Sequence, residues 1–410
     1  MQLGVQVFAV VCALLAIAGA AYYALCVWAG LRFVARKPES TSFTPPVSIV
    51  KSLKGVDPHM HAAFRSHCVL DYPEYEVLFG VNNLNDPAVT LVEDVQAEFP
   101  NARLRVIHCP LVLGTNGKVS NLAQMLPLAK YEHVLINDSD ILVEPDFLQC
   151  VMRGFLKGHG FSRAGDAADV LDSERTSVRE EFSSTPVGLV TTLYRAVAGR
   201  SLWSKLEALG ISTDFMGGVL VARELEGGIK FALGATMATT KTVLAKIGGL
   251  ESLVDVLGDD YELGVRTAAA GYRVELADAV VETAVADYTW RSFWQHQLRW
   301  ARNIKDRRRS QYFGLIVTFG LAWGVLGVLA ARGEWWSWTA LGIVLLARVA
   351  TVVVVGAKVL RDPEAKRDGW LIPMRDFVAL AVWVASFFGN TIVWRGERFR
   401  LRGGKLKAID

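Results

Sequence analysis

The stretch that decides the fold is residues 131–143, Tyr-Glu-His-Val-Leu-Ile-Asn-Asp-Ser-Asp-Ile-Leu-Val. Residues 133–136 have the short apolar pattern of a buried strand, and they run directly into Asp138 and Asp140. Ligands of an open α/β sheet bind at the carboxyl ends of its strands. Two carboxylates one residue apart share a side-chain direction if the backbone stays extended. The pair is therefore predicted to bind Mg²⁺ or Mn²⁺ together with ligand phosphates, since Mg²⁺ takes one or two carboxylates plus phosphate oxygens.

The competing interpretation of this pair is a solvated turn, because Asp favours turns for backbone reasons alone. The surrounding sequence favours a sheet edge, since short apolar runs alternate with helical patterns from residue 47 to about residue 145. This alternation predicts an α/β fold with a mostly parallel sheet. The predicted strands are 47–50, 75–81, 104–107 and 133–136, and the predicted helices are 59–69 and 86–99.

Composition indicates a membrane protein. The chain has 410 residues, of which 52% are hydrophobic, and a net charge of +3 that is too small to indicate nucleic-acid binding. The basic residues cluster beside apolar runs, as in membrane proteins. The five cysteines are scattered without a CxxC pair, so they predict neither a zinc site nor a disulfide framework.

Residues 5–31 form an apolar run long enough to span a bilayer. Arg32, Arg36 and Lys37 follow the run and no basic residue precedes it, which favours an uncleaved signal anchor over a signal peptide. The positive-inside rule then places the start of the chain outside and the following domain in the cytoplasm. Residues 1–37 are thus predicted to be the anchor.

Membrane segments are predicted again in residues 310–410. Residues 313–331 and 336–356 are predicted to form a hairpin of two spans, and Arg348 inside the second is expected to face protein or to snorkel. Residues 377–394 are a third candidate, followed by a basic tail. A full crossing would put this tail outside, against the positive-inside rule, whereas a re-entrant or interfacial helix would keep it inside; the sequence leaves both open.

Residues 38–309 between these membrane regions are predicted to be one cytoplasmic domain. Within it, residues 157–184 are polar and lack a sustained apolar period, which predicts a mobile surface insertion. Residues 202–222 mix apolar residues with scattered charges. They are predicted to be either a pair of interfacial helices or an ordinary core segment.

One loop and three more carboxylates add to the predicted site. Asp86 follows the second strand and is predicted to contact the base or ribose of a nucleotide, with a plain helix N-cap as the alternative. The glycines of the loop 114–118, Gly-Thr-Asn-Gly-Lys, let the backbone approach a ligand. Lys118 in this loop is predicted to offer a positive charge to a phosphate group. Asp259 and Asp260 are adjacent and suit general-base work, because one carboxylate can raise the pKa of the other. A solvated helix start is the alternative for that pair.

A basic aromatic helix is predicted over residues 290–302, and it carries His296-Gln-Leu-Arg299-Trp300. Arg299 can neutralise a departing diphosphate, and Trp300 can stack beneath a sugar or form a wall of the site. The alternative is that Arg and Trp are interface anchors beside the membrane.

Taken in order, these residues resemble a known pattern. Asp86, the Asp138-x-Asp140 triplet, Asp259-Asp260 and His296-x-x-Arg299-Trp300 resemble the D, DxD, (E/D)D, (Q/R)xxRW pattern of processive-type GT-A glycosyltransferases. The chain is more similar to ceramide glucosyltransferases, including their bacterial hopanoid-associated branch, over nearly its whole length. The further segments that carry this likeness are Lys54-Gly-Val-Asp-Pro58, Asp71-Tyr-Pro-x-Tyr-Glu-Val-Leu78, Asp86-Pro-Ala88 and Trp394-Arg-Gly-x-x-Phe-Arg-Leu-Arg402.

The resemblance implies a GT-A fold and a membrane-bound inverting enzyme that moves a hexose from a UDP-sugar to the hydroxyl of a membrane lipid. It implies that Asp86 binds uracil and that Asp138 binds ribose or metal. It implies further that Asp140 ligates the cation and that Asp260 is the base. Arg299 and Trp300 would close on diphosphate and acceptor.

Several alternatives to this function stay open. Within the family, ceramide glucosylation and transfer of N-acetylglucosamine to a hopanoid, bacteriohopanetetrol, are not separated by the sequence. A polysaccharide synthase would need a membrane channel with more spans. A non-catalytic membrane scaffold leaves the ordered carboxylates unexplained.

Overall fold

The computed structural model describes residues 2–36, 43–57, 59–156, 185–394 and 396–409, and the predicted insertion 157–184 lies outside them. The chain forms two compact units. The first, here called the membrane unit, comprises Met1–Arg36, Arg195–Val221 and Val285–Asp410. The second, here called the sheet unit, comprises Lys37–Tyr194 and Ala222–Ala284.

A mixed sheet organises the sheet unit. Its order, over the residues described, is β3-β2-β1-β4-β6-β5-β7. The first four strands are parallel, β6 is antiparallel to β4, and β5 is antiparallel to β6. The prediction of an α/β fold with a mostly parallel sheet is confirmed. The strands are β1 Val47–Leu53, β2 Tyr75–Val81, β3 Leu104–His108, β4 His133–Asn137, β5 Val187–Val197, β6 Thr236–Thr240 and β7 Arg273–Ala284.

The strand order reverses between β1 and β4. The chain runs from β1 outward through β2 and β3, and then returns to the other side of β1 as β4. Such a reversal opens a crevice at the carboxyl ends of the two strands, where ligands of open α/β sheets bind. β1 and β4 are buried along almost their whole length, as expected for central parallel strands covered on both faces. The sheet therefore presents one favoured edge for a ligand, directly before Asp138.

Helices flank the sheet and make up most of the membrane unit. Asp86 is the N-cap of α3 with Pro87 in the first turn, as predicted, and Asn116 caps α4. The described α-helices are α1 Gln2–Val34, α2 Met60–Ser66, α3 Pro87–Glu98, α4 Gly117–Met125, α5 Phe147–Arg153, α6 Leu202–Gly210, α7 Met216–Leu225, α8 Lys241–Lys246, α9 Asp259–Ala269, α10 Trp290–Arg307, α11 Arg309–Gly314, α12 Gly320–Ala330, α13 Trp335–Thr351, α14 Pro363–Asp368 and α15 Ile372–Ser386. π-Helical turns at Ile211–Phe215 and Val352–Val359 join or extend these helices.

Three helical segments in the described part of the chain are long and apolar enough to cross a membrane: Leu3–Val34, Trp335–Val359 and Pro363–Ser386. α1 packs against α12 and α13, and these two pack against each other. Leu206 and Leu209 of α6 lie in the buried apolar cluster that also contains residues of α1, α12 and α13. The segment that was predicted as interfacial helices or core thus contributes to the core of the membrane unit.

The predicted span 313–331 is not one straight helix. Its two halves, Arg309–Thr318 and Gly320–Ala330, are bent by 58° at Phe319. Close packing against α1 accompanies the bend: a Cβ added to Gly19 would lie 2.9 Å from the Val317 carbonyl oxygen, and one added to Gly320 would lie 2.9 Å from the Gly19 Cα. Only glycine permits such an approach of two backbones.

The candidate span 377–394 is helical only over its first ten residues. α15 ends at Ser386, and Gly389 follows with φ 94°, a conformation that does not continue a helix. The chain then forms a small antiparallel sheet, here called the tail sheet, whose order among the described residues is β10-β9-β8. Its strands are β8 Thr391–Trp394, β9 Glu397–Arg402 and β10 Lys405–Ala408.

The Arg348 side chain faces protein, which is one of the two predicted alternatives. The side chain is fully buried in α13, and its guanidinium donates to Asp376 Oδ1 at 2.8 Å and to Asp376 Oδ2 at 3.2 Å. The Nη2 that donates to Asp376 Oδ1 also pairs with Asp214 of the π-helical turn. The Tyr23 ring lies under the guanidinium, 5.0 Å from its carbon, and the Tyr23 hydroxyl donates to the Thr318 carbonyl. One buried cation thereby joins α1, α13, α15 and the turn after α6.

Arg348→Met is expected to destabilise the membrane unit by about 3–5 kcal/mol, because Asp376 is left as a buried charge without its main partner. Thermal unfolding of the purified protein in detergent measures the loss. Lys358→Met, which removes an exposed cation near the same helix end, is the matched control. Adding Asp376→Leu to Arg348→Met should restore part of the stability. Equal melting of Arg348→Met and Lys358→Met would contradict this account of the cluster.

Candidate active site

The crevice between β1 and β4 contains a buried lysine. Lys51 is inaccessible to solvent, and its ammonium donates to Asn137 Oδ1 at 2.8 Å and to the Asp138 carbonyl at 2.9 Å. Burial lowers the pKa of Lys51 to about 7, against the opposing charges of Asp140 and Asp138. β1 continues past its predicted end at Val50, because these hydrogen bonds satisfy the buried ammonium of Lys51 inside the sheet.

Asn137, the last residue of β4, connects four parts of the sheet unit. Its Oδ1 also lies 2.8 Å from His67 Nε2. Its amide nitrogen donates to the Ala235 carbonyl at 2.6 Å and to Thr236 Oγ1 at 3.2 Å. Every polar atom of the Asn137 side chain is therefore bonded, which fixes where Asp138 leaves the sheet.

Lys118 meets the carboxylates at this edge. Its ammonium lies 2.5 Å from Asp138 Oδ1 and 3.7 Å from Asp259 Oδ2. Burial opposes the charge of Lys118, but the carboxylates of Asp138 and Asp259 outweigh it, and its pKa lies above the ordinary value. The prediction placed Lys118 toward phosphate; in this structure its charge balances the aspartates that surround it.

The loop before Lys118 is bonded to the segment before α9. The Asn116 amide donates to the Val256 carbonyl at 2.8 Å, and the Thr115 N–H donates to Asp255 Oδ1 at 2.9 Å. A Cβ added to Gly114 would lie 2.6 Å from the Val254 side chain, so the loop approaches this segment as closely as glycine allows. These contacts bring Lys118 next to the first residues of α9.

Asp260 lies in the first turn of α9, behind Asp259. Burial, together with the charge of Asp259, raises the pKa of Asp260 to about 6. Lys118 and the N–H of Tyr261, which donates to Asp260 Oδ1 at 2.8 Å, act in the opposite direction. The two aspartates are not a solvated helix start, because the Asp259 side chain is only 13% exposed. Asp260 therefore combines partial burial with a basicity near neutral pH.

The backbone does not stay extended from Asp138 to Asp140, which was the condition of the prediction that their side chains share a direction. The strand ends at Asn137, and a turn follows in which the Ile141 N–H bonds the Asp138 carbonyl at 3.4 Å. Asp140 Oδ2 accepts from Thr283 Oγ1 at 2.5 Å and from the Ala284 N–H at 2.9 Å. Burial and the charge of Asp138 raise the pKa of Asp140 above its ordinary value.

Asp86 is the N-cap of α3, which is the alternative predicted for this residue, and it also binds the loop after β1. Its Oδ1 accepts from the Ala88 N–H at 2.9 Å, and both carboxylate oxygens lie 3.0 Å from the Gly55 nitrogen. Gly55 has φ 71°, which glycine adopts without strain. Asp86 thus joins the start of α3 to the loop after β1, at the same edge of the sheet as Lys51.

His296, Arg299 and Trp300 lie on α10 of the membrane unit, within its second and third turns. His296 Nδ1 lies 3.0 Å from Glu207 Oε1, and Glu207 is buried on α6. The Trp300 ring is 37% exposed and contacts the rings of His296 and Phe215. The helix predicted over 290–302 extends to Arg307.

Within the sheet unit, the structure brings together four of the predicted residues. Lys118, Asp138 and Asp259 form one ion-paired group, and a Cβ added to Gly234 would lie 3.0 Å from Asp260 Oδ2 and 3.7 Å from Asp138 Oδ2. Lys51, Asn137 and His67 are site residues that the sequence did not predict. A lysine inside an otherwise apolar strand is the signal that could have identified the first of them.

The donor set suits a hard divalent cation. Asp138 and Asp140 offer carboxylate oxygens, the ligands that Mg²⁺ and Mn²⁺ prefer. The ammonium of Lys118 already lies against Asp138, so positive charge is favourable there. No group of three or more His, Cys, Asp or Glu side chains able to bind a metal occurs among the described residues. A cation here would therefore need further ligands from a bound substrate.

Comparison with known proteins agrees with this geometry. The model of Glycosyl transferase family 21 matches residues 10–162 and 170–407. Ceramide glucosyltransferase 1 of Caenorhabditis elegans is 23% identical over 384 residues, which cover 90% of this chain and 75% of the relative. The ceramide glucosyltransferase of Komagataella phaffii is 34% identical over 101 residues, 24% of this chain and 20% of that one.

A solved structure has a similar fold. The mannosyltransferase PcManGT from Pyrobaculum calidifontis, in complex with GDP-Man and Mn²⁺, superposes with a TM-score of 0.51 and 18% identity. The match covers 94% of this chain and 98% of that one. The predicted GT-A fold is thereby confirmed.

Lys51→Met is expected to lower the free energy of unfolding by about 1–3 kcal/mol, because the Asp138 carbonyl loses its buried donor. It should also weaken binding of the donor nucleotide, since the carboxyl end of β4 is released. Differential scanning fluorimetry and nucleotide titration measure the two effects. Lys54→Met, an exposed lysine three residues later, is the matched control. A Lys51→Met protein that melts and binds like the control would contradict the role given to Lys51.

Proposed function

Since the chain belongs to glycosyl transferase family 21, we propose that this membrane glycosyltransferase moves a hexose from a UDP-sugar to the hydroxyl of ceramide. The observation that supports the proposal is the group of Lys118, Asp138, Asp259 and Asp260 at the switch point of a GT-A sheet. Such a group can bind a diphosphate with its cation and still leave one carboxylate for proton transfer. The names of the relatives support the lipid acceptor.

We assign donor binding to the edge formed by β1, β4 and α3. Asp86 faces the nucleoside, at the loop that it fixes through Gly55. Lys118 supplies a mobile positive charge that can exchange a carboxylate partner for phosphate oxygens. Asp138 and Asp140 would ligate Mg²⁺ or Mn²⁺, which when bound supplies charge that stabilises a departing diphosphate.

Inversion at the anomeric carbon needs one carboxylate that accepts the proton of the attacking hydroxyl. Asp138 and Asp140 suit this poorly, because a bound cation depresses the basicity of its ligands. Asp260 is the better base, since its raised pKa near 6 leaves it ionised at neutral pH yet basic enough to accept a proton. Asp259 raises the pKa of Asp260 and pairs with Lys118.

We assign α10 to the acceptor end of the reaction. Arg299 would neutralise the diphosphate, and Trp300 would face the sugar or the acceptor with its exposed ring. His296, fixed by Glu207, would orient this turn of the helix. The charge step after α1 supports a cytoplasmic sheet unit, in a membrane that we take to be the bacterial inner membrane.

The test of the function pairs UDP-glucose or UDP-N-acetylglucosamine with ceramide or bacteriohopanetetrol in lipid nanodiscs that contain the purified protein. We expect glucosylceramide by mass spectrometry, and no product with Asp260→Asn. A product formed only on the hopanoid would replace ceramide as acceptor. A polysaccharide, or hydrolysed donor without any lipid product, would overturn the proposal.

Asp260→Asn is expected to lower kcat by at least ~10²-fold, the usual scale for a lost general base, with little change in UDP-sugar affinity. Asp259→Asn removes the neighbouring charge and one partner of Lys118, so it should cost less in turnover. Steady-state kinetics and donor titration compare the two. If Asp259→Asn loses more turnover than Asp260→Asn, the base is Asp259. If both retain normal turnover, neither is the base.

The pH profile gives this prediction a second readout. A base must be ionised to act, so kcat should fall as pH decreases through about 6, the pKa of Asp260. In Asp259→Asn the midpoint should move to lower pH, because a neighbouring negative charge that raises the pKa has been removed. An unchanged midpoint in that variant would contradict the pairing.

Asp140→Asn is expected to abolish transfer and metal-dependent donor binding, because it removes the charge of one ligand and keeps an oxygen to accept from Thr283. Mn²⁺ titration by electron paramagnetic resonance, with UDP present, measures the loss without relying on activity. Asp94→Asn, on the exposed face of α3, is the matched control. Full transfer by Asp140→Asn in EDTA would remove this residue from the metal site.

A further inference from the structure

The tail sheet carries positive charge on one face only. Ile392, Phe399, Leu401 and Leu406 alternate with the cations and are buried. Five basic side chains of β9 and β10 point the other way and are exposed; we call them the cationic face. They are Arg398, Arg400, Arg402, Lys405 and Lys407.

The register of the tail sheet places like charges directly opposite one another. Arg402 is paired with Lys405, and Arg400 with Lys407. Like charges facing each other across an antiparallel pair destabilise it. In the described part of the chain, no ion pair joins the cationic face to a carboxylate. The arrangement is thus unfavourable in isolation, and an anionic partner would relieve it.

The start of β8, the linker before it and the turn between β9 and β10 are bonded to α10. Arg302 donates to the Phe388 carbonyl at 2.7 Å and to the Thr391 carbonyl. The Gly404 N–H donates to Asp306 Oδ2 at 2.6 Å. Arg302 of α10 is therefore bonded inside the unit, whereas the side chains of the cationic face are exposed.

These bonds determine the side of the membrane on which the tail sheet lies. Between Arg307 and Thr391 the chain passes through the bent pair 309–330 and through Trp335–Val359 and Pro363–Ser386. Because both ends of this path meet in the same contact, the number of full crossings between them is even. At least one of the three segments therefore does not cross completely. The tail sheet lies with Arg307, on the side that the positive-inside rule makes cytoplasmic.

The tail sheet is also close to the bilayer. Four residues separate Ser386, the end of the last candidate span, from Thr391. Such a linker reaches at most about 14 Å. The linker is not extended, since Phe387 has helical backbone angles and Gly389 has φ 94°, so its ends lie closer together than this limit. Cations within a Debye length of the membrane surface, about 8 Å at physiological ionic strength, experience its potential.

We propose that the cationic face binds the anionic lipid headgroups of the leaflet in which the protein is embedded. The charge, the short tether and the side of the membrane all favour a lipid surface over a soluble polyanion. Binding would hold the tail sheet, and with it the C-terminal half of α10, against the bilayer. This proposal does not depend on the identity of the glycosyl acceptor.

Hydrogen–deuterium exchange of the full chain in nanodiscs tests the proposal. The nanodiscs contain phosphatidylcholine alone or equal parts of phosphatidylcholine and phosphatidylglycerol. We expect exchange in residues 397–408 to slow by roughly tenfold in the anionic nanodiscs, and the effect to disappear at high salt. Exchange that is the same in both nanodiscs would overturn the proposal.

Two variants separate charge from folding. The first replaces all five cations by Gln: Arg398→Gln, Arg400→Gln, Arg402→Gln, Lys405→Gln and Lys407→Gln. The second keeps the charge: Arg398→Lys, Arg400→Lys and Arg402→Lys. The lysine variant should keep the lipid protection, and the Gln variant should lose it while exchanging normally in neutral nanodiscs.

If the Gln variant fails to fold, the lysine variant alone decides. Its loss of lipid protection would then overturn an electrostatic contact with the membrane. Heparin added to neutral nanodiscs is the remaining arm of the test. Protection by heparin without protection by phosphatidylglycerol would replace the membrane by a soluble polyanion, and would also overturn the proposal.

Discussion

Crowding of negative charge at the carboxyl ends of β1 and β4 is the constraint on which the site of the sheet unit depends. Asp138 and Asp259 share one ammonium, that of Lys118, and Asp260 lies behind them with its pKa raised to about 6. Carboxylates packed this closely repel each other in a partly buried place, so a cation is needed to hold them. Burial, together with the same repulsion, makes one of them, Asp260, more basic. In the proposed mechanism, cation binding and proton acceptance are thus two consequences of one arrangement of charge.

The pKa values of two lysines at this edge are shifted in opposite directions. Lys51 is surrounded by neutral oxygens, Asn137 Oδ1 and the Asp138 carbonyl, so burial prevails and lowers its pKa to about 7. Lys118 faces carboxylates directly, and their charge raises its pKa above the ordinary value. Lys51 therefore acts through hydrogen bonds that position the backbone, whereas Lys118 contributes charge. A sequence pattern that counts both as basic residues near phosphate would not distinguish these roles.

Much of the sheet unit was predictable because its information is local. Apolar runs and an Asp-Pro cap predicted β2, β3, β4 and α3 to within one residue, whereas β1 ends three residues later than predicted. The partners of the site residues were not predictable, since Lys118 meets Asp259 only after the chain has folded back over more than a hundred residues. The turn after Asn137 likewise depends on Lys51 and Ala235, which lie on other segments. The break at Phe319 depends on close packing against Gly19, far away in the chain.

Hydropathy assigns each residue its own cost, but the cost of a charge inside a membrane depends on its partners. Arg348 would argue against the span Trp335–Val359 if it were alone. Paired with Asp376 and Asp214, it instead binds three segments together. Asp376 likewise lowers the hydropathy of Pro363–Ser386, although the charge of Asp376 is compensated by Arg348. When hydropathy is calculated for each segment separately, the charged residue lowers the value of both segments, although the ion pair between these residues stabilises both. Membrane segments that share a buried ion pair have to be evaluated as one packed group, and their crossings inferred from contacts between their ends.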